Sequence, residues 1–219
     1  MNNYSIIHGA LAVGGVLGYG IGRYRAELFQ KRVTSFQNRG ESLVTEAITK
    51  SFRSPDYHLF NHLTLKLNEG TTQIDHVLVS RFGVFVIETK DYRGWIFASP
   101  GQAQWTQVLF NGKHKFQNPI LQNKLHVKAV TDLLDFLPAD VVKSIVVFTE
   151  KAEFKTDVPL GVFRVSELVS QIQKFKEEVM TMNRLQFCIG RLEAVRLAIS
   201  GQTDLEHVAH LRRRYGRTD

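Results

Sequence analysis

Two runs of apolar, largely β-branched residues flank a short turn near the middle of the chain. The first run covers residues 74–79 and the second covers residues 84–87, with Gly83 at the end of the turn. Apolar runs of this length on either side of a glycine turn are typical of adjacent antiparallel strands. The pattern therefore predicts a β-hairpin with Arg81 and Phe82 as its two-residue loop.

The register of this hairpin decides which polar side chains meet. A two-residue loop pairs Val77 with Val86 and places Asp75 opposite Glu88, with Lys90 on the same face. Opposed side chains lie about 4.5–5.5 Å apart at Cβ, so the two carboxylates repel each other. A divalent cation, Mg²⁺ or Mn²⁺, would remove that repulsion. A loop one residue longer or shorter would put the acids on opposite faces.

Both faces of the hairpin are apolar. One face carries Val77, Val79, Val84 and Val86, and the other carries Ile74, Leu78, Phe85 and Ile87. Further strands are predicted at residues 57–67, 95–97, 104–110, 113–117 and 144–149. A sheet with two apolar faces is covered by helices on both of them, so the predicted fold class is α/β.

A helix is predicted to begin at Gly40, before the first strand. Its apolar residues form one face at 100° per residue, namely Leu43, Val44, Ala47, Ile48 and Phe52. Glu41 lies at the edge of that face. An acid beside a buried face needs a partner, and a metal site is one. The alternative is an acid that is favourable in the first turn of a helix.

A second helix is predicted to start at Asn118 and Pro119, an N-cap followed by proline at the first helical position. It extends to about residue 137, with Gln122 in line with Leu125, Ala129 and Leu133 on its buried face. From there Gln122 could position a metal-bound water or a phosphate, or it could satisfy nearby backbone groups. His126 could line the same cleft, or it could be a histidine at the boundary of the core.

The end of the chain is predicted to be helical. Residues 151–159 indicate a polar linker, and helices are predicted at 165–179, 183–200 and 203–215. His207 and His210 have the spacing of two ligands on one helix turn, but no third ligand is in view, which favours a solvated face.

Residues 4–22 contain no Asp, Glu, Lys or Arg, and as a helix they would span about 28 Å, close to the thickness of a bilayer core. Gly14, Gly18 and Gly22 have the spacing that lets membrane helices pack closely and self-associate. Basic residues follow in the segment 23–35. The distribution predicts a transmembrane anchor with the rest of the protein in the cytoplasm. A cleaved signal peptide or a glycine-rich soluble helix is the alternative.

Composition narrows the class of protein. A hydrophobic content of 43% excludes global disorder. The net charge of +7 favours a polyanionic partner, nucleic acid or anionic lipid. The single cysteine, Cys188, excludes an intramolecular disulfide and a cysteine zinc site. The sequence also lacks a GxxxxGK[ST] phosphate-binding loop and a nucleophile elbow.

The spacing Asp75…Glu88-x-Lys90 resembles the PD-(D/E)xK, restriction-endonuclease-like nucleases. The similarity extends further, through residues 73–79, 83–90, 94–96 and the run Asn-Pro-x-x-Gln-Asn at 118–123. Together these segments resemble the nuclease-related (NERD) domain over about residues 36–150. The resemblance implies a mixed β-sheet with helices on both faces, preceded by the anchor (1–22) and linker (23–35) and followed by a helical extension (151–219).

The resemblance also implies a chemistry, hydrolysis of phosphodiester bonds in DNA or RNA with Mg²⁺ or Mn²⁺. Asp75 and Glu88 would hold the metal, with Glu41 as a further ligand. Lys90 would orient the attacking water and stabilise the phosphate, and Gln122 would position water or phosphate. Weaker nucleic-acid contacts are expected at Arg93, Lys113, Lys115 and His126. The alternative is a catalytically silent module that binds nucleic acid or a membrane with the same fold.

Overall fold

The computed structural model describes residues 39–67 and 70–197, which lie in the compact unit that begins at Asn38. Its helices are α1 (Arg39–Ser51), α2 (Pro119–Leu133), α3 (Val165–Ile172) and α4 (Met182–Val195), with a 3-10 turn at Ala139–Val141. Its strands are β1 (Tyr57–Lys66), β2 (Thr71–Ser80), β3 (Gly83–Lys90), β4 (Gly94–Phe97), β5 (Gln104–Leu109), β6 (Gly112–Gln117), β7 (Val142–Phe148), β8 (Ala152–Phe154) and β9 (Val162–Arg164).

The strands form two sheets within the described residues. The first has the order β1-β2-β3-β7-β9, and the second has the order β6-β5-β4-β8. Strand β7 is parallel to both β3 and β9, whereas β1, β2 and β3 are mutually antiparallel, so the predicted mixed sheet is confirmed. The second sheet was not anticipated from the sequence. Its strands β4, β5 and β6 lie where strands were predicted, at 95–97, 104–110 and 113–117. Strand β8 lies in the segment predicted as a linker.

The central hairpin, β2 and β3, has the predicted register. Val79 pairs with Val84 and Val77 with Val86, and the ladder ends where His76 meets Ile87. Asp75 and Glu88 are the next positions in that register. The two-residue loop therefore has the length that the sequence predicted.

Helices cover both faces of the first sheet, as predicted. Helices α2 and α4 pack on the face that carries the four hairpin valines. Helices α1 and α3 pack on the face that carries Leu78, Phe85 and Ile87. Burial on both faces explains why the strands are apolar at nearly every position rather than at alternate ones.

The prediction for Ile74 is wrong, because this side chain packs on the valine face instead of the Leu78 face. The imidazole of His76, two residues on, contacts Thr45 of α1 on the other side. Alternation therefore breaks between them, at Asp75. The partner strand has its own irregularity there, since His62 has a φ of 51° and the ladder between β1 and β2 steps from Asn61 to Leu63.

The predicted buried face of α2 is also wrong in part. Leu125 is 47% exposed, while Asn123 and His126 are buried. Helix α2 ends at Leu133, before the predicted residue 137, and α3 ends at Ile172, before residue 179. Polar side chains occupy the buried positions because each finds partners on the sheet.

Several predictions concern segments outside the described residues. They are the anchor at 4–22 with Gly14, Gly18 and Gly22, the linker at 23–35, and the last helix with His207 and His210. Among residues 39–67 and 70–197, no helix has the length and apolar character that crossing a membrane requires.

Candidate active site

The polar residues predicted to form a site gather at one end of the central hairpin. Strand β2 supplies Asp75 and strand β3 supplies Glu88 and Lys90. Helix α1 brings Glu41 from one face of the sheet, and helix α2 brings Gln122 from the other. The charge of Glu88 raises the pKa of both Glu41 and Asp75, as expected for carboxyl groups that are near one another.

Lys90 contacts two of the other polar residues of the site. Its Nζ donates to Glu88 Oε1 at 2.6 Å and to Gln122 Oε1 at 2.9 Å. Burial alone would lower the pKa of Lys90, but the adjacent Glu88 carboxylate outweighs it and the pKa lies above its ordinary value. The lysine is therefore a fixed positive charge at neutral pH, with its amine held between a strand and a helix.

Glu88 is almost fully buried, with 2% of its side chain exposed. Burial alone would raise its pKa, but Lys90 and His126 hold it below the ordinary value. Its second oxygen, Oε2, lies 3.2 Å from His126 Nε2. Neither atom completes a hydrogen bond within the described part of the chain. Glu88 is thus ionised and keeps one oxygen available.

Asp75 is placed by the backbone of the neighbouring strand. The amide of Thr89 donates to Asp75 Oδ2 at 2.7 Å. Burial and the charges of Glu88 and Glu41 nevertheless raise the pKa of Asp75 well above its ordinary value. The Asp75 carboxyl group is fixed next to other acids. Its ionisation is therefore unfavourable unless a cation binds nearby.

Glu41 enters the site because α1 approaches the sheet closely. A Cβ atom at Gly40 would come within 2.9 Å of Asp91 Cβ and 3.1 Å of Thr149 Cγ2, so the residue before Glu41 must be small. Burial, followed by the charge of Glu88, raises the pKa of Glu41 to about 7. Its Oε2 lies 3.4 Å from His62 Nδ1 but has no hydrogen-bond partner among the described residues.

This donor set fits a hard divalent cation. Glu41 and Glu88 each have a buried oxygen without a hydrogen bond, and Asp75 and Glu41 resist ionisation where they stand. Within residues 39–67 and 70–197, no three His, Cys, Asp or Glu side chains form a ready-made metal cluster. Magnesium is typically held by one or two carboxylates together with waters, which this arrangement can provide.

The role of His126 differs from the one suggested by the sequence. Its predicted nucleic-acid contact requires a solvent-facing ring, but the ring is 5% exposed. Its Nδ1 hydrogen-bonds to Thr72 Oγ1 at 2.8 Å, and its Nε2 faces Glu88. His126 therefore lies against the Glu88 carboxylate and helps to stabilise its charge. No local pattern links residues 54 positions apart, so the sequence could not show the contact with Thr72.

Asn123 is a structural residue that sequence reasoning left without a role. Its two Nδ2–H groups are shared among three acceptors, the carbonyls of Val86 at 2.9 Å and Ile145 at 3.0 Å and the Ser144 Oγ at 2.8 Å. These contacts join α2 to β3 and β7 directly beside Gln122. The asparagine that ends the run at 118–123 was the available clue.

The other predicted nucleic-acid contacts lie on or next to the second sheet. Arg93 precedes β4, and Lys113 and Lys115 are on β6. All three are exposed. The structure therefore shows contacts among Glu88, Lys90, Gln122 and His126, whereas these three cations belong to the strands that follow Lys90.

Comparison with known proteins agrees with this arrangement. The family model described as nuclease-related domain matches residues 37–149. A protein of Bacillus anthracis described as uncharacterized is 34% identical over 184 residues, which cover 83% of this chain and 77% of that protein. No solved structure matches the chain significantly. The matched segment contains Glu41, Asp75, Glu88, Lys90, Gln122 and His126.

Proposed function

This chain belongs to the nuclease-related domain family, and we propose that it is a membrane-anchored nuclease that hydrolyses DNA or RNA with the help of Mg²⁺ or Mn²⁺. The observation that carries the proposal is the group of three carboxylates beside one buried lysine. Such a group is unfavourable in a folded protein unless a cation compensates it. In phosphodiester hydrolysis, a cation and a lysine placed in this way would stabilise the negative charge that develops on the phosphate.

Asp75 and Glu88 would hold the metal, with Glu41 as a further ligand. A metal bound there would lower the pKa of a water molecule and offset negative charge on the phosphate. His126 keeps Glu88 in place, and the Thr89 amide keeps Asp75 in place. Residues that orient a ligand in this way are worth roughly 10- to 100-fold in metal affinity.

Lys90 would leave its contact with Glu88 in part and donate to a phosphate oxygen. Its ammonium stays protonated because its pKa is raised, so it acts as an electrostatic stabiliser of the negative charge that develops on the phosphate. Gln122 contacts Lys90 through its carbonyl oxygen, which leaves its NH₂ group to orient water or phosphate.

The membrane anchor is a separate part of the proposal. It is supported by the uncharged span at residues 4–22 and by the basic residues that follow it. In that arrangement the nuclease domain faces the cytoplasm, and the glycines at positions 14, 18 and 22 could bring two copies together. Fractionation of cells, with and without residues 1–22, tests the anchor independently of catalysis.

The nuclease proposal is tested with the full-length chain and labelled DNA and RNA, in Mg²⁺, Mn²⁺ or EDTA. We expect metal-dependent cleavage that Asp75→Asn, Glu88→Gln and Lys90→Met each abolish. Glu46→Gln is the matched control, because Glu46 lies on the same helix as Glu41 but is exposed and paired with Lys50. If the folded protein cleaves nothing in either metal, the domain is a binding module.

A further inference from the structure

We propose that the outer face of the second sheet binds single-stranded nucleic acid, with bases stacked on Trp95 and Phe97. This inference rests on the proposed function, since it names the substrate class of that site. Trp95 is 48% exposed and Phe97 is 38% exposed, although Ile96 between them is fully buried. Large aromatic side chains on a sheet surface are the usual stacking platform for unpaired bases.

The register of the sheet places a lysine in the same row as each aromatic residue, two strands away. Trp95 pairs with Val108, which pairs with Lys113. One row further along, Phe97 pairs with Thr106, which pairs with Lys115. We call these two rows the aromatic–basic face. Each row has a ring at one end and an ammonium two strands away, about 10 Å across the sheet.

The charge around the aromatic–basic face suits a polyanion. Residues 92–117, which include β4, β5 and β6, contain no Asp or Glu but contain Arg93, Lys113 and Lys115. Glu153 on β8 pairs beside Trp95, but it forms an ion pair with Lys155. The same Lys155 amine lies 4.8 Å from the centre of the Trp95 ring. Basic side chains therefore outnumber carboxylates among the described residues of these strands.

The aromatic–basic face is connected to the candidate active site at both ends. Strand β4 begins four residues after Lys90, so the Cα of Trp95 lies within about 18 Å of the Cα of Lys90. Strand β6 ends at Gln117, directly before the helix that carries Gln122. A strand of nucleic acid that lies on this face would therefore approach Lys90.

The exposed rings favour a single strand over a duplex. In a duplex each base is stacked on its neighbours, and only the edges reach a protein. In a single strand the flat faces of the bases are available to Trp95 and Phe97. The same aromatic residues and lysines could also contact anionic lipid, so the experiment includes a membrane arm.

Tryptophan fluorescence gives a direct readout, because the chain has two tryptophans and Trp105 is 1% exposed. The full-length chain in EDTA is titrated with a single-stranded oligonucleotide, the matching duplex, an abasic strand and anionic vesicles. We expect the single strand to quench Trp95 and to bind more tightly than the duplex or the abasic strand. Trp95→Ala and Phe97→Ala should each weaken binding roughly 5- to 150-fold, the range for loss of one stacked base, measured with a dye-labelled oligonucleotide because Trp95→Ala removes the reporting tryptophan.

Matched controls separate the face from general effects. Phe187→Ala removes an aromatic that is 56% exposed on α4, and Lys176→Ala removes an exposed lysine elsewhere; both should bind like the wild type. Lys113→Ala with Lys115→Ala should reduce the salt dependence of binding. The proposal is overturned if abasic and normal strands bind equally. It is also overturned if only the vesicles change the fluorescence, by shifting the Trp95 emission to the blue.

The binding titration distinguishes this inference from the nuclease proposal, because the titration is done in EDTA and cleavage is measured with Mg²⁺ or Mn²⁺. Quenching together with cleavage supports both. Cleavage without quenching overturns only the inference about the face. Quenching without cleavage in Mg²⁺ or Mn²⁺ overturns the nuclease proposal and leaves a domain that binds single strands.

Discussion

Removing the charge of Glu41 should make the metal-free protein more stable at alkaline pH. The pKa of Glu41 in the fold is about 7, against 4.5 ordinarily, mainly because of burial and then because of Glu88. The folded state therefore binds more protons than the unfolded state between these values. Below pH 4.5 the Glu41 carboxyl group is protonated in both the folded and the unfolded state. The free energy of unfolding then decreases as the pH rises through about 7.

The size of this effect follows from the shift. A difference of about 2.5 pKa values corresponds to roughly 3 kcal/mol, which is an upper limit. Glu41 is partly accessible to water, and screening reduces the figure to about 1–2 kcal/mol. Glu41→Gln keeps the shape and cannot ionise. For a chain of this size it should raise the melting temperature by about 2–8 °C at pH 8 and by almost nothing at pH 4.

Thermal unfolding in EDTA, followed at several pH values, measures the effect. Glu46→Gln on the exposed side of the same helix is the control, and it should show no gain at pH 8. Addition of Mg²⁺ should then stabilise the wild type more than Glu41→Gln, because the variant has lost a ligand. If Glu41→Gln has the same advantage at pH 4 as at pH 8, charge is not the cause and the reasoning is refuted.

Three further predictions concern the residues around the carboxylates. Replacing His126 by Ala should weaken Mg²⁺ affinity roughly 10- to 100-fold, measured by calorimetry, because Glu88 loses its neighbour; unchanged affinity would exclude that role. Asn123→Ala should cost about 2–4 kcal/mol in urea unfolding, since the buried carbonyls of Val86 and Ile145 lose their hydrogen bonds to the Asn123 amide. The pKa of His76 is lowered to about 4, chiefly by burial, so stability should fall as pH drops from about 6.5 toward 4, and His76→Gln should flatten that slope.

Local sequence was sufficient to predict the hairpin and its polar residues. The turn at Gly83 and the alternation after it are encoded by adjacent residues, and the resulting register extends to His76 and Ile87, the neighbours of Asp75 and Glu88. The helix at Pro119 was predictable for the same reason, since a cap and a proline mark its first turn.

Contacts between distant segments were not predictable. The buried face of α2 was assigned from hydrophobicity, yet Asn123 is buried because its partners lie on β3 and β7. Leu125 is exposed in its place. Three strands of the second sheet were predicted, but their assembly into a separate sheet was not, because β8 lies in a polar segment and joins β4 by parallel pairing across more than fifty residues. Such partners depend on the tertiary fold and leave no periodic pattern in the sequence.

The break in strand alternation at Asp75 explains how an acid can lie at the end of an otherwise apolar hairpin. With regular alternation, the residues on either side of it would share one face. Instead Ile74 packs with the valines, and His76 reaches α1 on the other side. Asp75 lies at the crossover, opposite the irregular His62, and meets the Thr89 amide there. The irregularity costs backbone energy, and the proposed function accounts for that cost, because the proposed metal site would use a second carboxylate beside Glu88.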